Sequence, residues 1–341
     1  RVLQVHVMYE YARRGVQSIK DGLQLVLSYF GEPRSNFLDK YFGDRLEALD
    51  RAVTVESYQR IVDDLQHPEQ QAIVAAPADE NALVLAGPGS GKTRVIVHRV
   101  AFLVNVLRVP PRQVLVLCFN RLAAIQLKRR LRELIGSTGP RVTVLTYHAL
   151  AARLTGTSFA DRAHEAGVNG DRSPDLANLI PAATRILRGE QPVVGLAEDE
   201  VRERLLAGYR YVLVDEYQDI DEEQYQLISA VTDRTGRDAE TKLAILAVGD
   251  DDQNIYAFRG ANVTYIRRFQ EDYRARGHFL LENYRSTAHI LAAANQLIAH
   301  NRDRMKTEQA IRINKARAQE PAGGPWETLD PVGRGKVQVL E

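Results

Sequence analysis

The sequence predicts an α/β protein built on a doubly wound parallel sheet, and three observations carry that prediction. Short apolar runs of strand length alternate with longer stretches of helical periodicity, the pattern of β-α-β units. Several of the runs are apolar throughout, as expected of strands buried on both faces. Polar or glycine-rich residues follow the runs directly, which delivers them to one edge of the sheet, at the carboxyl ends of its strands.

The first of these runs, Ala82-Leu83-Val84-Leu85, breaks into Ala86-Gly87-Pro88-Gly89-Ser90-Gly91-Lys92-Thr93 and then, from Arg94, into helical spacing. Strand, glycine-rich loop and helix in that order are the context a phosphate-binding P-loop requires. Small residues over 87–91 let successive backbone N–H groups point at phosphate oxygens. The helix that follows adds its unpaired N–H groups and positive dipole end. Lys92 is expected to reach the outer phosphates of a bound nucleotide, and the Thr93 hydroxyl to ligate Mg²⁺. Ala86 stands where a first glycine is usual, at a position that only has to be small.

Upstream, His67-Pro68-Glu69-Gln70 opens a helix, and the Gln70 amide complements an adenine edge. Residues 113–119 predict a second strand, 121–134 a helix and 141–147 a third strand, which places Phe119, Asn120, Tyr147 and His148 at the working edge. Residues 156–208 break the rhythm and predict a small helical insertion, with helices at 175–188 and 197–207. The sheet then resumes at 211–214 and runs into Asp215 and Glu216. Asp215 is expected to hold Mg²⁺, and Glu216 to orient and deprotonate an attacking water. Adjacent buried carboxylates without a cation would repel, which argues against a purely structural pair.

A further strand at 243–249 delivers Gln253, a neutral side chain suited to sensing a γ-phosphate or its water. Tyr256, Phe258 and Arg259 follow it, aromatic and guanidinium groups suited to stacking on unpaired bases. The last strand, within 278–286, leads into a helix at 287–299, and the polar stretch 301–331 reads as an exposed linker. The expected division is a helical N-terminal segment at 1–64 and a sheet domain at 65–155 and 209–275, interrupted by the insertion. Residues 276–341 are expected to begin a second, incomplete domain and to end in the linker. Within 1–64, helices are expected at 23–30 and 44–65, with a loop at 31–36.

The 341 residues carry a net charge of +1, so any nucleic-acid surface has to be a local patch. One cysteine, Cys118, leaves no internal disulfide and no cysteine-based metal site, and suits a reducing cytoplasm. No apolar run reaches membrane-spanning length and no signal peptide is recognisable. The chain starts at Arg1, as expected of an excerpt from a longer protein.

With these motifs assembled, residues 65–300 resemble the UvrD/Rep/PcrA helicases of superfamily 1. The resemblance implies a RecA-like P-loop NTPase domain, with Gln70 on the adenine, Arg94 against the base and residues 86–93 around the phosphates. It implies Asp215 and Glu216 as the acidic motif and Gln253 as the phosphate sensor. Tyr284 would stack on adenine and Arg285 act as an arginine finger from a second RecA-like domain. Phe119, Asn120, His148, Tyr256, Phe258 and Arg259 fall in motifs that meet single-stranded DNA. Phe258 stands where several members have Trp, and Asn120 and Leu122 depart from the family's usual residues. Residues 25–33 faintly resemble the helix before the zinc-binding cysteines of RecQ helicases, but those cysteines are missing and no zinc is expected. The implied activity is ATP-driven 3′-to-5′ movement on single-stranded DNA, coupled to unwinding at duplex junctions. The family's last two motifs do not occur, so these residues alone are expected to bind ATP, hydrolyse it poorly and not unwind DNA. Two other readings keep the nucleotide chemistry: a motor serving a nuclease or displacing proteins, and a P-loop switch that uses ATP to change partners.

Overall fold

A computed structural model describes residues 2–43, 55–156, 176–193, 195, 197–206, 208–236, 242–256, 258, 260–301 and 304–314. The chain begins with three helices, α1 (Val2–Gln17), α2 (Ile19–Gly31) and α3 (Arg34–Phe42). They close on a small core of their own, made of Val7, Leu25, Phe37, Tyr41 and Phe42. The loop expected at 31–36 is shorter than predicted, because α3 already starts at Arg34. Of the helix expected over 44–65, residues 44–54 lie outside the described residues, and the rest forms α4 (Val55–Ile61) and a single 3₁₀ turn.

The sheet domain follows with α5 (Pro68–Val74), β1 (Ala82–Ala86), α6 (Lys92–Ala101), β2 (Val114–Cys118), α7 (Arg121–Ile135), β3 (Thr143–Thr146) and α8 (Tyr147–Leu154). Two helices of the inserted region, α9 (Leu179–Leu187) and α10 (Glu198–Leu205), precede β4 (Tyr211–Val214), α11 (Glu222–Thr232), β5 (Ala244–Gly249) and α12 (Thr264–Tyr273). After β6 (Arg276–Leu280) come β7 (Glu282–Asn283), α13 (Ala288–Ile298) and β8 (Arg312–Ile313). Six strands make one sheet in the order β3-β2-β4-β5-β1-β6, every pair parallel, while β7 and β8 pair separately.

Alternation along the inner strands explains why their runs are apolar. Leu83, Leu115, Val212 and Ile245 point into one core, shared with α8, α9, α11 and α12. Val84, Val116, Leu213 and Leu246 point into the opposite core, shared with α6 and α7. Both faces of the inner strands β1, β2, β4 and β5 are covered, so a polar side chain buried there would need an internal partner. The inserted helix α9 buries Leu179, Ile180, Ala183 and Leu187 in the first core and so forms part of that layer. Residues 157–175 of the insertion lie outside the described residues.

The structure revises two expectations about the end of the chain. Residues 276–280, assigned from sequence to the start of a second domain, form the edge strand of this sheet, with Arg276 to Leu280 in register against Ala82 to Ala86. The stretch His278-Phe279-Leu280-Leu281 announces a strand but not the sheet that takes it. Residues 304–314, read as exposed linker, fold back onto the domain instead: Lys306 is buried, and β8 pairs with β7.

Candidate active site

β5 lies between β4 and β1, so the loops after these three strands meet at one edge of the sheet. The loop after β1 is the P-loop. It is tied down at its start by the Gly87 N–H, which donates to the Leu280 carbonyl at 2.9 Å, and internally by the Ser90 hydroxyl, which donates to the Gly87 carbonyl at 2.7 Å. Gly91, the residue before α6, has φ of 93°, a left-handed conformation that keeps the helix N-terminus open. Gly89, at φ 64°, is also required by crowding: a Cβ there would lie 2.8 Å from Arg285 Cβ and 2.9 Å from Asn283 Nδ2.

Lys92 extends from this loop to the acids after β4. Its Nζ lies 2.9 Å from Glu216 Oε2 and donates to Gln253 Oε1 at 3.5 Å. Glu216 holds φ of 51°, a left-handed conformation that costs a non-glycine residue about 1 kcal/mol, and it sits where the strand must turn its carboxylate toward the P-loop. Asp215 is 4% exposed, and its Oδ1 accepts the Glu216 N–H at 3.1 Å. Burial and the adjacent Glu216 raise its pKa from 3.8 to about 7, against the pull of Lys92. Burial also lifts Asp219 to about 6. The buried Asp215 carboxylate and the half-buried Thr93 hydroxyl, one residue beyond Lys92, are oxygen donors of the kind that fits a hard divalent cation such as Mg²⁺.

Gln70 is buried at 1% exposure and donates through Nε2 to the Ser90 carbonyl at 3.0 Å; its Oε1 is buried with no partner among the described residues. Tyr284 and Arg285 approach from the other side. The Tyr284 N–H donates to the Gly89 carbonyl at 2.9 Å, and the Tyr284 ring lies edge-on to His67 at 6.1 Å. Arg94 donates to the Asp64 carbonyl at 3.0 Å.

Two residues to which the sequence reading gave no role hold this assembly together. Asn283, fully buried, donates to the Pro88 carbonyl at 2.6 Å, and its Oδ1 accepts the Arg285 and Ser286 N–H groups at 2.7 and 2.6 Å. Gln218 donates to Glu216 Oε2 at 3.0 Å and accepts the Asp250 N–H at 2.9 Å, which links the loops after β4 and β5. Both stand inside motifs visible in the sequence. The signal that could have found them is a short-range one, an amide side chain next to a turn.

Beside this cluster, Phe119 and Tyr256 stack at 5.1 Å with 30° between the rings, and Phe258 lies 6.1 Å from Tyr256 and is 77% exposed. Phe119, Asn120 and His148 line a groove of about 720 Å³, together with Lys128 and Thr146. Asn120 Oδ1 is already engaged as the cap of α7, accepting the Ala123 N–H at 2.8 Å. Tyr147, expected at this edge, turns inward as the first residue of α8 and is buried. Arg259 lies outside the described residues.

The sequence profile described as an AAA domain matches residues 69–259, more than half of the chain. The chain belongs to that family. Its relatives include DNA helicase II of Escherichia coli strain K12, 30% identical over 72% of this chain and 42% of that protein. The ATP-dependent DNA helicase PcrA of Bacillus subtilis strain 168 is 28% identical over 80% of this chain and 46% of that protein. Similarity to UvrD/PcrA-type helicases is thus established, and the chain spans less than half the length of these relatives. Among solved structures, a Pif1 helicase from Candida albicans aligns over 64% of this chain and 40% of that one, with 16% identity and a TM-score of 0.39. Among the described residues, no helix is long and apolar enough to cross a membrane.

Proposed function

We propose that this chain is the ATP-hydrolysing part of a DNA motor that moves along single-stranded DNA, acting in the cytoplasm. The observation that carries the reading is the meeting of Lys92, Glu216 and Gln253 from three separate loops, within 2.9 and 3.5 Å of one ammonium group. Lys92 binds the outer phosphates of ATP, which displaces it from Glu216. The freed carboxylate then holds the attacking water and takes its proton. Mg²⁺ held by Thr93 and Asp215 would neutralise charge on the phosphates. Gln70 and Arg94 with Tyr284 frame the base, and Arg285, held beside Gly89 by Asn283, lies at the phosphate end as an arginine finger.

The half-buried Phe119–Tyr256 stack, with exposed Phe258 beside it, supports single-stranded nucleic acid as the track, since an aromatic shelf takes any base through its face. Helicase names among the relatives support DNA, and the family resemblance supports 3′-to-5′ movement and unwinding of duplex junctions. The 341 residues by themselves are proposed to bind ATP with weak turnover, because Arg285 is backed by a sheet of only two short strands among the described residues.

The test is ATP binding and turnover by the full-length protein beside Lys92→Ala and Glu216→Gln. We expect Lys92→Ala to weaken ATP binding and abolish turnover, and Glu216→Gln to bind ATP while losing about 10²–10⁴-fold in kcat. Glu216→Gln turning over at the wild-type rate would remove the motor reading.

A further inference from the structure

Residues 304–306 return from α13 to the turn that follows β5. Lys306 is 1% exposed, and its ammonium meets three carboxylates: Asp250 Oδ1 at 2.7 Å, Asp251, and Asp252 Oδ2 at 3.4 Å. Arg304 grips Asp252 with two bonds of 2.8 Å, and the Met305 N–H donates to Asp251 at 2.6 Å. Ligand oxygens of the three acids lie within 4.8 Å of one another, a spacing that would suit a cation, and the lysine supplies it. Burial alone would lower the Lys306 pKa, but its contacts with Asp250 and Asp251 outweigh burial and raise it.

A counter-charge could have been placed anywhere near these acids, yet the bonds have a direction. Asp250 divides its two oxygens. Oδ1 accepts from Lys306 and from the Asp252 N–H at 3.1 Å, which leaves Oδ2 to accept from the amide nitrogen of Gln253. A carboxylate can only accept, so the Gln253 amide has one favourable orientation. Its nitrogen faces Asp250, and its oxygen faces Lys92 at 3.5 Å.

We infer that Lys306 is a positioning residue for ATP hydrolysis, fixing Asp250 so that Gln253 presents its carbonyl oxygen to the phosphate side of the site. An acceptor in that place holds a proton of the attacking water, rather than donating to the γ-phosphate. The inference rests on the proposed ATPase reading and adds to it a residue 53 positions further along the chain than Gln253.

The experiment measures ATP turnover by the full-length protein, saturated with single-stranded DNA, for wild type, Lys306→Met, Lys306→Arg, Gln253→Ala and the double variant Gln253→Ala/Lys306→Met. Lys306→Met is expected to lower kcat about tenfold or more with KM for ATP changed by less than about twofold, and Lys306→Arg to recover part of the loss. The double variant should be no slower than Gln253→Ala, because both changes remove the same oriented amide. If Lys306→Met does not fold, the charge-balanced Asp251→Asn/Lys306→Met replaces it with the same expectations. Wild-type kcat in the lysine variant, or losses that multiply in the double variant, overturns the inference while leaving the ATPase reading standing. A wild-type protein with no ATP turnover at all overturns both.

Discussion

At Asp215 the fold holds a carboxyl group whose proton leaves near neutrality. Burial and Glu216 set its pKa at about 7, against 3.8 for an ordinary aspartate. Between those values the folded chain keeps a proton that the unfolded chain has already shed, so this group's contribution to stability falls as pH rises across that window. A cation beside Asp215 favours the ionised form and reverses the preference. Binding of Mg²⁺ with a nucleotide is therefore expected to release a proton and to tighten from about pH 6 to about pH 8. Calorimetry in two buffers of different ionisation enthalpy reads that proton directly, and Asp215→Asn should abolish its release. At this scale the sequence was informative wherever a residue stands in a motif that ends a strand, as Lys92, Asp215 and Glu216 do. Lys306 was not legible, because its three acids lie some fifty residues away and its own neighbours are polar. Only folding brings that lysine out of water.

Among the elements, the glycine-rich loop and the turn after β7 depend on each other. Gly89→Ala would force a side chain into Asn283 and Arg285 at a left-handed backbone position, so it is expected to push Tyr284 and Arg285 off the P-loop. The readout is weaker nucleotide binding than wild type, measured with a fluorescent ATP analogue, in a protein that still folds. Asn283→Ala leaves two N–H donors and the Pro88 carbonyl without their partner and is expected to cost about 1–3 kcal/mol in denaturant unfolding. Asn120→Ala removes only the α7 cap, a loss of about 1 kcal/mol. The inner strands could be read in advance because burial on both faces leaves an unbroken apolar run. The sheet that takes β6 could not be read, since Arg276 to Leu280 carry no mark of their partner; pairing with β1 is a tertiary choice.

Over the described residues, the Lys92–Glu216–Gln253 cluster and the aromatic shelf share one edge of the sheet, and the loop after β5 contributes to both. Gln253 faces Lys92 while Tyr256, three residues on, stacks on Phe119. In the proposed motor, a strand of DNA pressed onto the shelf would bear on the loop that carries Gln253. Phe119→Ala is expected to weaken single-strand binding by about 1–3 kcal/mol, the range for one base–aromatic stack, with ATP affinity unchanged. The most direct test of the coupling is steady-state ATP turnover by the full-length protein with and without saturating single-stranded oligodeoxynucleotide, for wild type and for Phe119→Ala/Tyr256→Ala. The account predicts strong stimulation of wild type and little or none of the double variant, with equal turnover of the two when DNA is absent. Equal stimulation of both proteins would contradict it.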